Sequence, residues 1–293
     1  DSSNKLTTIQ TDETNPLTEK TKLEAGLRAK INKLENNNET LNLFDGQSSM
    51  VPGTAIEYHN TNNVYAAYAD VTSSIKNFGY ELGLRAERSN YNGVLNSTQN
   101  FTNKYPISLF PSVFLSQKLK NRQELQANFS RRINRPNFFQ LIPYTDRSDS
   151  LNITRGNPDL VPEFTNSFEL SYSKTYGKSN SFLASVYYKH STNLITRFLD
   201  TEYNASLQKN ELINTYVNAN SSYSYGAEFT SFHYVTKWWD YNLNINLYKS
   251  KINTDNLGLA SQDALLSWFG KWNNNFKLPK NFTIQLSANY QSK

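Results

Sequence analysis

Few side chains in this sequence could carry acid–base or metal chemistry. Its three histidines, His59, His190 and His233, are widely separated and lack ligand-like spacing. With no cysteine present, disulfides, thiolate metal sites and cysteine nucleophiles are excluded together. A hydrolase would need a histidine within reach of its nucleophile and orienting carboxylate. His59 falls near the end of a long polar stretch, His190 partway along a strand-like segment and His233 beside a short turn. No two are expected to meet, so neither catalysis nor a metal or other cofactor is expected.

Recognition chemistry is concentrated in one place, residues 135–163, which read RPNFFQLIPYTDRSDSLNITRGNPDLVPE. Phe138, Phe139, Tyr144, Arg147 and Arg155 are the candidate ligand contacts, because aromatic faces and guanidinium groups on a long loop suit sugars, peptides or anionic chelates. The competing reading is structural. Arg135 and Pro136 at one end, and Gly156, Asn157, Pro158, Pro162 and Glu163 at the other, would fix the loop's own fold. That reading is favoured for Gly156, Asn157, Pro158 and Pro162, whereas for Phe138, Phe139 and Arg147 the two stand level. The net charge of +5 is modest and its cations are scattered, unlike the footprint of a nucleic-acid partner.

The elements that must position this segment follow from a composition of 37% hydrophobic, 14% aromatic and 19% charged residues. The apolar fraction is low for a globular core and the aromatic fraction too high for a disordered chain. Period-two alternation reconciles the two. Phe78, Tyr80, Leu82, Leu84 and Ala86 alternate with Gly79, Glu81, Gly83, Arg85 and Glu87, one face apolar and the other carrying every charge. The same pattern recurs over 23–31, 241–247 and 282–290, and less purely elsewhere. Strands of ten or more residues exceed the globular mode and match the length a tilted strand needs to cross a bilayer. No apolar run is long enough for a transmembrane helix. The chain begins at Asp1 without a signal peptide, as a mature or excised segment would.

Connections alternate in length. Short polar turns are expected at 15–19, 74–77, 118–121, 176–180, 235–237 and 278–280, with long polar loops at 32–61, 90–104, 134–164, 200–211 and 253–262. Short turns on one rim and long loops on the other describe an outer-membrane barrel, here an all-β antiparallel meander of about twelve strands. Phe78, Tyr80, Trp238, Trp239, Tyr241, Trp272 and Phe276 gather near the short turns, where an interfacial girdle would lie. Glu81, Arg85, Glu87, Glu124, Glu169, Glu228 and Lys271 fall on the lumen-facing register. Pro111, inside a central strand, predicts a bulge or local irregularity, and Arg131, on the apolar register near the long loop, can snorkel to the surface.

The block GNPDLVPE (156–163) followed by an alternating strand, the Arg135-Pro136 pair, LGLRAE (82–87), LFPS (109–112), KLEAGLRAK (22–30) and YGAEF (225–229) resemble the barrels of TonB-dependent receptors, particularly the Bacteroidota type. The resemblance covers most of the chain in order. It implies a bacterial outer-membrane location, a barrel of about 22 strands, a plug domain in the same full-length protein, TonB acting through that plug, and uptake of a nutrient ligand whose identity no motif specifies. The plug and the family's first strands have no counterpart here, and neither has its terminal aromatic strand. The expectation is therefore a partial barrel over 1–293, with an autonomous twelve-stranded barrel as the lesser alternative.

Outer-membrane lipid is the first expected partner. A second function class stays open, a structural or scaffold barrel in a multi-protein complex whose loops hold a partner such as a surface lipoprotein. A soluble all-β binding protein is the third reading. It would bring Phe78, Leu82, Leu84, Leu243, Ile245, Ile284 and Leu286 together in a closed core instead of facing them outward.

Overall fold

A computed structural model describes residues 2–39, 41–50, 56–96, 99–149, 151–205, 208–258 and 263–292. In chain order the elements are β1 (Ser2–Pro16), β2 (Lys22–Asn38), β3 (Leu41–Phe44), β4 (Gln47–Met50), β5 (Ile56–Ile75), β6 (Phe78–Leu95), β7 (Gln99–Leu119) and β8 (Gln123–Asn134). The short helix α1 (Phe138–Leu141), β9 (Thr145–Asp146) and β10 (Ile153–Arg155) follow. Then come β11 (Glu163–Tyr176), β12 (Asn180–Asn204), β13 (Lys209–Tyr234), β14 (Trp239–Asn253), β15 (Leu265–Lys277) and β16 (Thr283–Gln291). Twelve of these strands form one antiparallel meander, in the order β1-β2-β5-β6-β7-β8-β11-β12-β13-β14-β15-β16. The strand count and simple pairing order expected from alternation are those observed. β1 and β16 are its two edges, each paired on one side among the described residues.

Register shows why alternation sufficed. Leu82 lies between Val71 and Val113, and the same row continues through Phe129, Phe168, Tyr188 and Tyr225. A residue and its direct cross-strand partner share a face, so this row is a continuous apolar stripe across seven strands. Leu82, Leu84, Ile245, Ile284 and Leu286 are exposed along it and its neighbours, with Phe78 and Leu243 half-buried. They do not converge on a closed core, which disposes of the soluble reading. The opposite, inner face carries Glu81, Arg85, Glu87 and the row Ser185, Glu228, Asn246.

Each of the six expected short turns is present within a residue or two, at 17–21, 76–77, 120–122, 177–179, 235–238 and 278–282. The long connections need correcting. Residues 90–95 and 99–104, expected in a loop, continue the ladder of β6 and β7, and residues 200–204 and 209–211 continue β12 and β13. β13 runs for 26 residues, roughly 85 Å at the usual strand rise, far more than a bilayer requires. The reason is that pairing needs only backbone hydrogen bonds. Asn, Ser, Thr and Tyr, read as loop formers, keep the hairpins zipped above the membrane as long as each new pair satisfies its peptide groups.

Pro111 produces an irregularity, though not a bulge. Its pairing with Leu84 on β6 is regular, but the ladder to β8 ends at the next residue, Ser112 opposite Ser130. A residue without an N–H cannot carry that ladder further. The register shift lies instead opposite Arg88, between Tyr105 and Ser108. Across the unpaired seam, Phe110 stacks on Phe164 at 6.4 Å. The Arg131 guanidinium lies 4.8 Å from the Phe164 ring centroid. Arg131 thus reaches a neighbouring aromatic face instead of open solvent.

Candidate functional site

Residues 135–162 do not stand out from the rim. Their described part, 135–149 and 151–162, runs from the inner-face residues Glu87, Ser89 and Tyr91 of β6 to the β12–β13 hairpin. Asn137 starts the crossing as the N-cap of α1 in a capping box, its side chain accepting from Gln140 N while Gln140 reaches back to Asn137 N. At the entry, Arg135 donates from Nε to Ser89 Oγ at 3.0 Å and from Nη2 to Glu87, and Arg85 Nε donates to the other Glu87 oxygen at 2.6 Å. Pro136 is buried beside it. Arg28, Lys30, Arg85 and Arg135 line a concavity of about 280 Å³ with Glu87, Asn32 and Asn62. Glu87 is its only carboxylate, and Asn32 Oδ1 has no hydrogen-bond partner among the described residues.

Above that concavity the loop supplies the chain's small apolar cluster. Leu141 and Leu160 are buried against Tyr91, with Phe101, Ile195 and Tyr216 around them. Phe138 packs on Tyr58 with ring centroids 3.9 Å apart, and the Tyr58 and Tyr91 hydroxyls are hydrogen-bonded at 2.6 Å. Burial pushes both phenols well above the usual tyrosine range, so they stay protonated at any physiological pH. Tyr105, whose hydroxyl donates to Leu160 O at 3.3 Å, is raised for the same first reason.

The second half of the loop is stitched to the overshooting hairpin. β10 pairs in parallel with β13, Ile153 opposite Ile213, beyond the point where β14 has ended at Asn253 opposite Ser221. It covers what would otherwise be an open strand edge. Arg147 donates to Glu211 Oε2 at 3.2 Å and Arg155 to Glu202 Oε2 at 2.7 Å. Asn157 donates to Tyr216 O at 2.9 Å and accepts from Asp159 N, while Pro158 O accepts from Asn103 Nδ2 at 2.7 Å. Glu163 accepts from Asn134 and from Ile195 N. Gly156 is buried, and a Cβ there would stand 2.4 Å from Ile142 O.

Of the five candidate ligand contacts, the structure leaves Phe139 most available, with 73% of its surface exposed and its ring 4.9 Å from Phe138. Tyr144 is half-buried, its phenol raised by desolvation and by Asp146. Arg147 and Arg155 are occupied by their carboxylates. Their partners Glu202 and Glu211 were not legible as such, because pairing them with the loop requires β12 and β13 to extend as strands through a stretch that reads as loop. Of the aromatics expected as a girdle, Trp238 lies in a short turn and the other six lie on the outward register of their strands near the short turns. Trp238, Trp239 and Phe276 form a trio with centroids 6.0–6.4 Å apart, Phe78 and Tyr80 are 6.3 Å apart, Tyr241 neighbours His233 and Trp272 is exposed opposite Leu243. His59 is bonded to Glu57 at 3.0 Å near the long-loop end and His233 to Tyr176 at 3.2 Å near the short-turn end.

The Arg147–Glu211 tie makes loop docking sensitive to acid. Hydrogen bonds from Asn204, then from Arg147, hold the Glu211 carboxyl below its usual 4.5 despite some desolvation. A carboxyl lowered in the folded state contributes stability above its unfolded pKa and loses it as pH falls through the folded one. Hydrogen exchange at 145–155, corrected for intrinsic rates, should therefore accelerate once pH drops below about 4.5, and Glu211→Gln should abolish that dependence.

Three solved structures give the fold its context. The siderophore receptor PirA from Pseudomonas aeruginosa aligns with 99% of this chain and 62% of its own at 13% identity, TM-score 0.56. The copper transporter OprC aligns with 93% and 41% at 15% identity, TM-score 0.68. The ferric yersiniabactin uptake receptor FyuA from Yersinia pestis aligns with 98% and 42% at 14% identity, TM-score 0.65. The chain thus spans less than two thirds of each. No curated protein sequence matches it. The model of the outer membrane protein beta-barrel family matches residues 1–293; with the outward apolar stripe and the meander, this places the chain in that family and in the bacterial outer membrane.

Proposed function

We propose that the chain is the wall and outer-loop part of a receptor barrel that imports a nutrient ligand, driven by TonB through a plug domain elsewhere in the same polypeptide. The observation that supports this is the 135–163 segment, whose entry packs on the inner wall beside a cation-rich concavity and leaves Phe139 exposed, where an entering solute would pass. The fold's likeness to receptors and transporters of larger size supports a barrel completed by further strands along β1 and β16. The girdle aromatics would then seat the wall at headgroup depth. Reading the full-length frame tests the proposal: a plug domain is expected, and a frame without one would overturn import.

One feature favours a second reading. Among the described residues the hairpin β3–β4 pairs only with itself, and it exposes Leu43 and Phe44 by 77% and 84%. An isolated hairpin is marginal in water, so a partner protein such as a surface lipoprotein could rest on it. Leu43→Ser with Phe44→Ser should leave ligand uptake intact if the hairpin serves only that partner, and should release the partner on affinity capture.

A further inference from the structure

Each of the six short turns carries one lysine: Lys20, Lys76, Lys120, Lys178, Lys237 and Lys280. All are exposed and none is ion-paired among the described residues. Arg122 adds a seventh cation, its Nη2 donating to Gly177 O at 2.8 Å, and Glu19 is the only acid. The long connections have the opposite balance. Asp146, Asp149, Asp159, Asp255 and Asp263 lie there, while Arg135, Arg147 and Arg155 are each spent on a strand carboxylate.

Backbone geometry makes the lysines harder to dismiss as ordinary turn residues. Lys76, Arg122 and Lys280 hold φ of 55°, 55° and 60°, left-handed positions that glycine fills without steric cost and asparagine more readily than lysine. A cation sits where the conformation argues against it. Directly above are Phe78 and Tyr80 after Lys76, Trp238 and Trp239 after Lys237, and Phe276 before Lys280. An ammonium one step beyond an interfacial ring stands at the depth of lipid phosphates. In outer-membrane barrels the short turns face the periplasm.

We infer that the short-turn rim is a binding ring for the phosphate headgroups of anionic phospholipid in the periplasmic leaflet. Each ammonium donates to a lipid phosphate, and the rings beside Lys76, Lys237 and Lys280 lie along the glycerol and upper acyl region. The ring would fix the barrel's depth and gather a shell of anionic lipid, and it needs no ligand or plug. It therefore stands or falls independently of import.

The test uses the full-length barrel reconstituted in phosphatidylcholine containing brominated phosphatidylglycerol or, in parallel, brominated phosphatidylcholine. With Trp268, Trp272 and every tryptophan outside this chain changed to Phe, Trp238 and Trp239 report on the short-turn rim alone. Quenching should favour phosphatidylglycerol on the order of three- to tenfold, and this preference should weaken with salt. Changing all six lysines to Gln should remove it, while arginine at the six positions and Lys209→Gln should leave it. Where the tryptophan background does not fold, phospholipid phosphorus co-purifying with the native chain and with the six-Gln variant gives the same comparison. Equal quenching by both lipids, an unchanged preference in the six-Gln variant, or tighter binding of soluble polyglutamate than of phosphatidylglycerol vesicles would each overturn the inference.

Discussion

Glu87→Gln should lower the barrel's heat resistance more than any other single change on the inner wall. Glu87 is 9% exposed and accepts from two guanidinium groups, Arg85 at 2.6 Å and Arg135. Neutralising it leaves both cations facing each other across a site whose other charged lining residues, Arg28 and Lys30, are positive too. Breaking a buried pair from one side costs about 3–5 kcal/mol. Arg85 and Arg135 keep 31% and 21% of their side-chain surface in solvent, so screening reduces the expected loss to about 2–4 kcal/mol. The two arginine variants should cost less, because each leaves Glu87 with the other partner. The midpoint of heat-modifiable gel migration measures all three. An effect of Glu87→Gln no larger than that of Arg85→Gln would mean that the cluster is solvated and contributes little.

The same cluster shows what could and could not be read from the sequence. Glu87 was assignable to the inner face because it is the alternate of Leu82, Leu84 and Ala86, and period two settles a face without any knowledge of partners. That Arg135 is its partner was not assignable. The two are 48 positions apart, and their meeting depends on a loop turning inward, which no periodicity encodes. Residues 90–104 failed for a related reason. Tyr91, Asn92 and Gly93 look like loop by composition, yet Tyr91 stacks on Phe101 with centroids 5.7 Å apart and seats Leu141 and Leu160. Apolar alternation marks only the height of wall that meets lipid. Above that height, strand continuation is decided by backbone pairing and by what the loop packs on, and neither leaves a local signature.

Gly156→Ala should unseat the loop from the wall while leaving the barrel intact. Its added Cβ would lie 2.4 Å from Ile142 O and 2.7 Å from Ile142 N, and both are backbone atoms that cannot rotate away. The neighbouring links are therefore the ones that must give: Asn157 N to Gln140 O at 2.6 Å, Asn157 Nδ2 to Tyr216 O, and Leu160 under Tyr91. Overpacking of a tight site costs about 1–3 kcal/mol, and the loss of Leu160 burial would add to it. Because twelve strands pair without the loop, heat-modifiable migration should move little, and limited proteolysis at 143–155 should become much faster. Asn103→Ala, which removes the tie to Pro158 O without a steric clash, should give the same direction at smaller size. If Gly156→Ala lowered the barrel's own thermal midpoint as much as Glu87→Gln does, the loop would be a structural strut of the wall. If cleavage rises and the wall holds, Phe139 sits on an element separable from the wall that lines the inner concavity, as the proposed importing barrel with a movable outer loop requires.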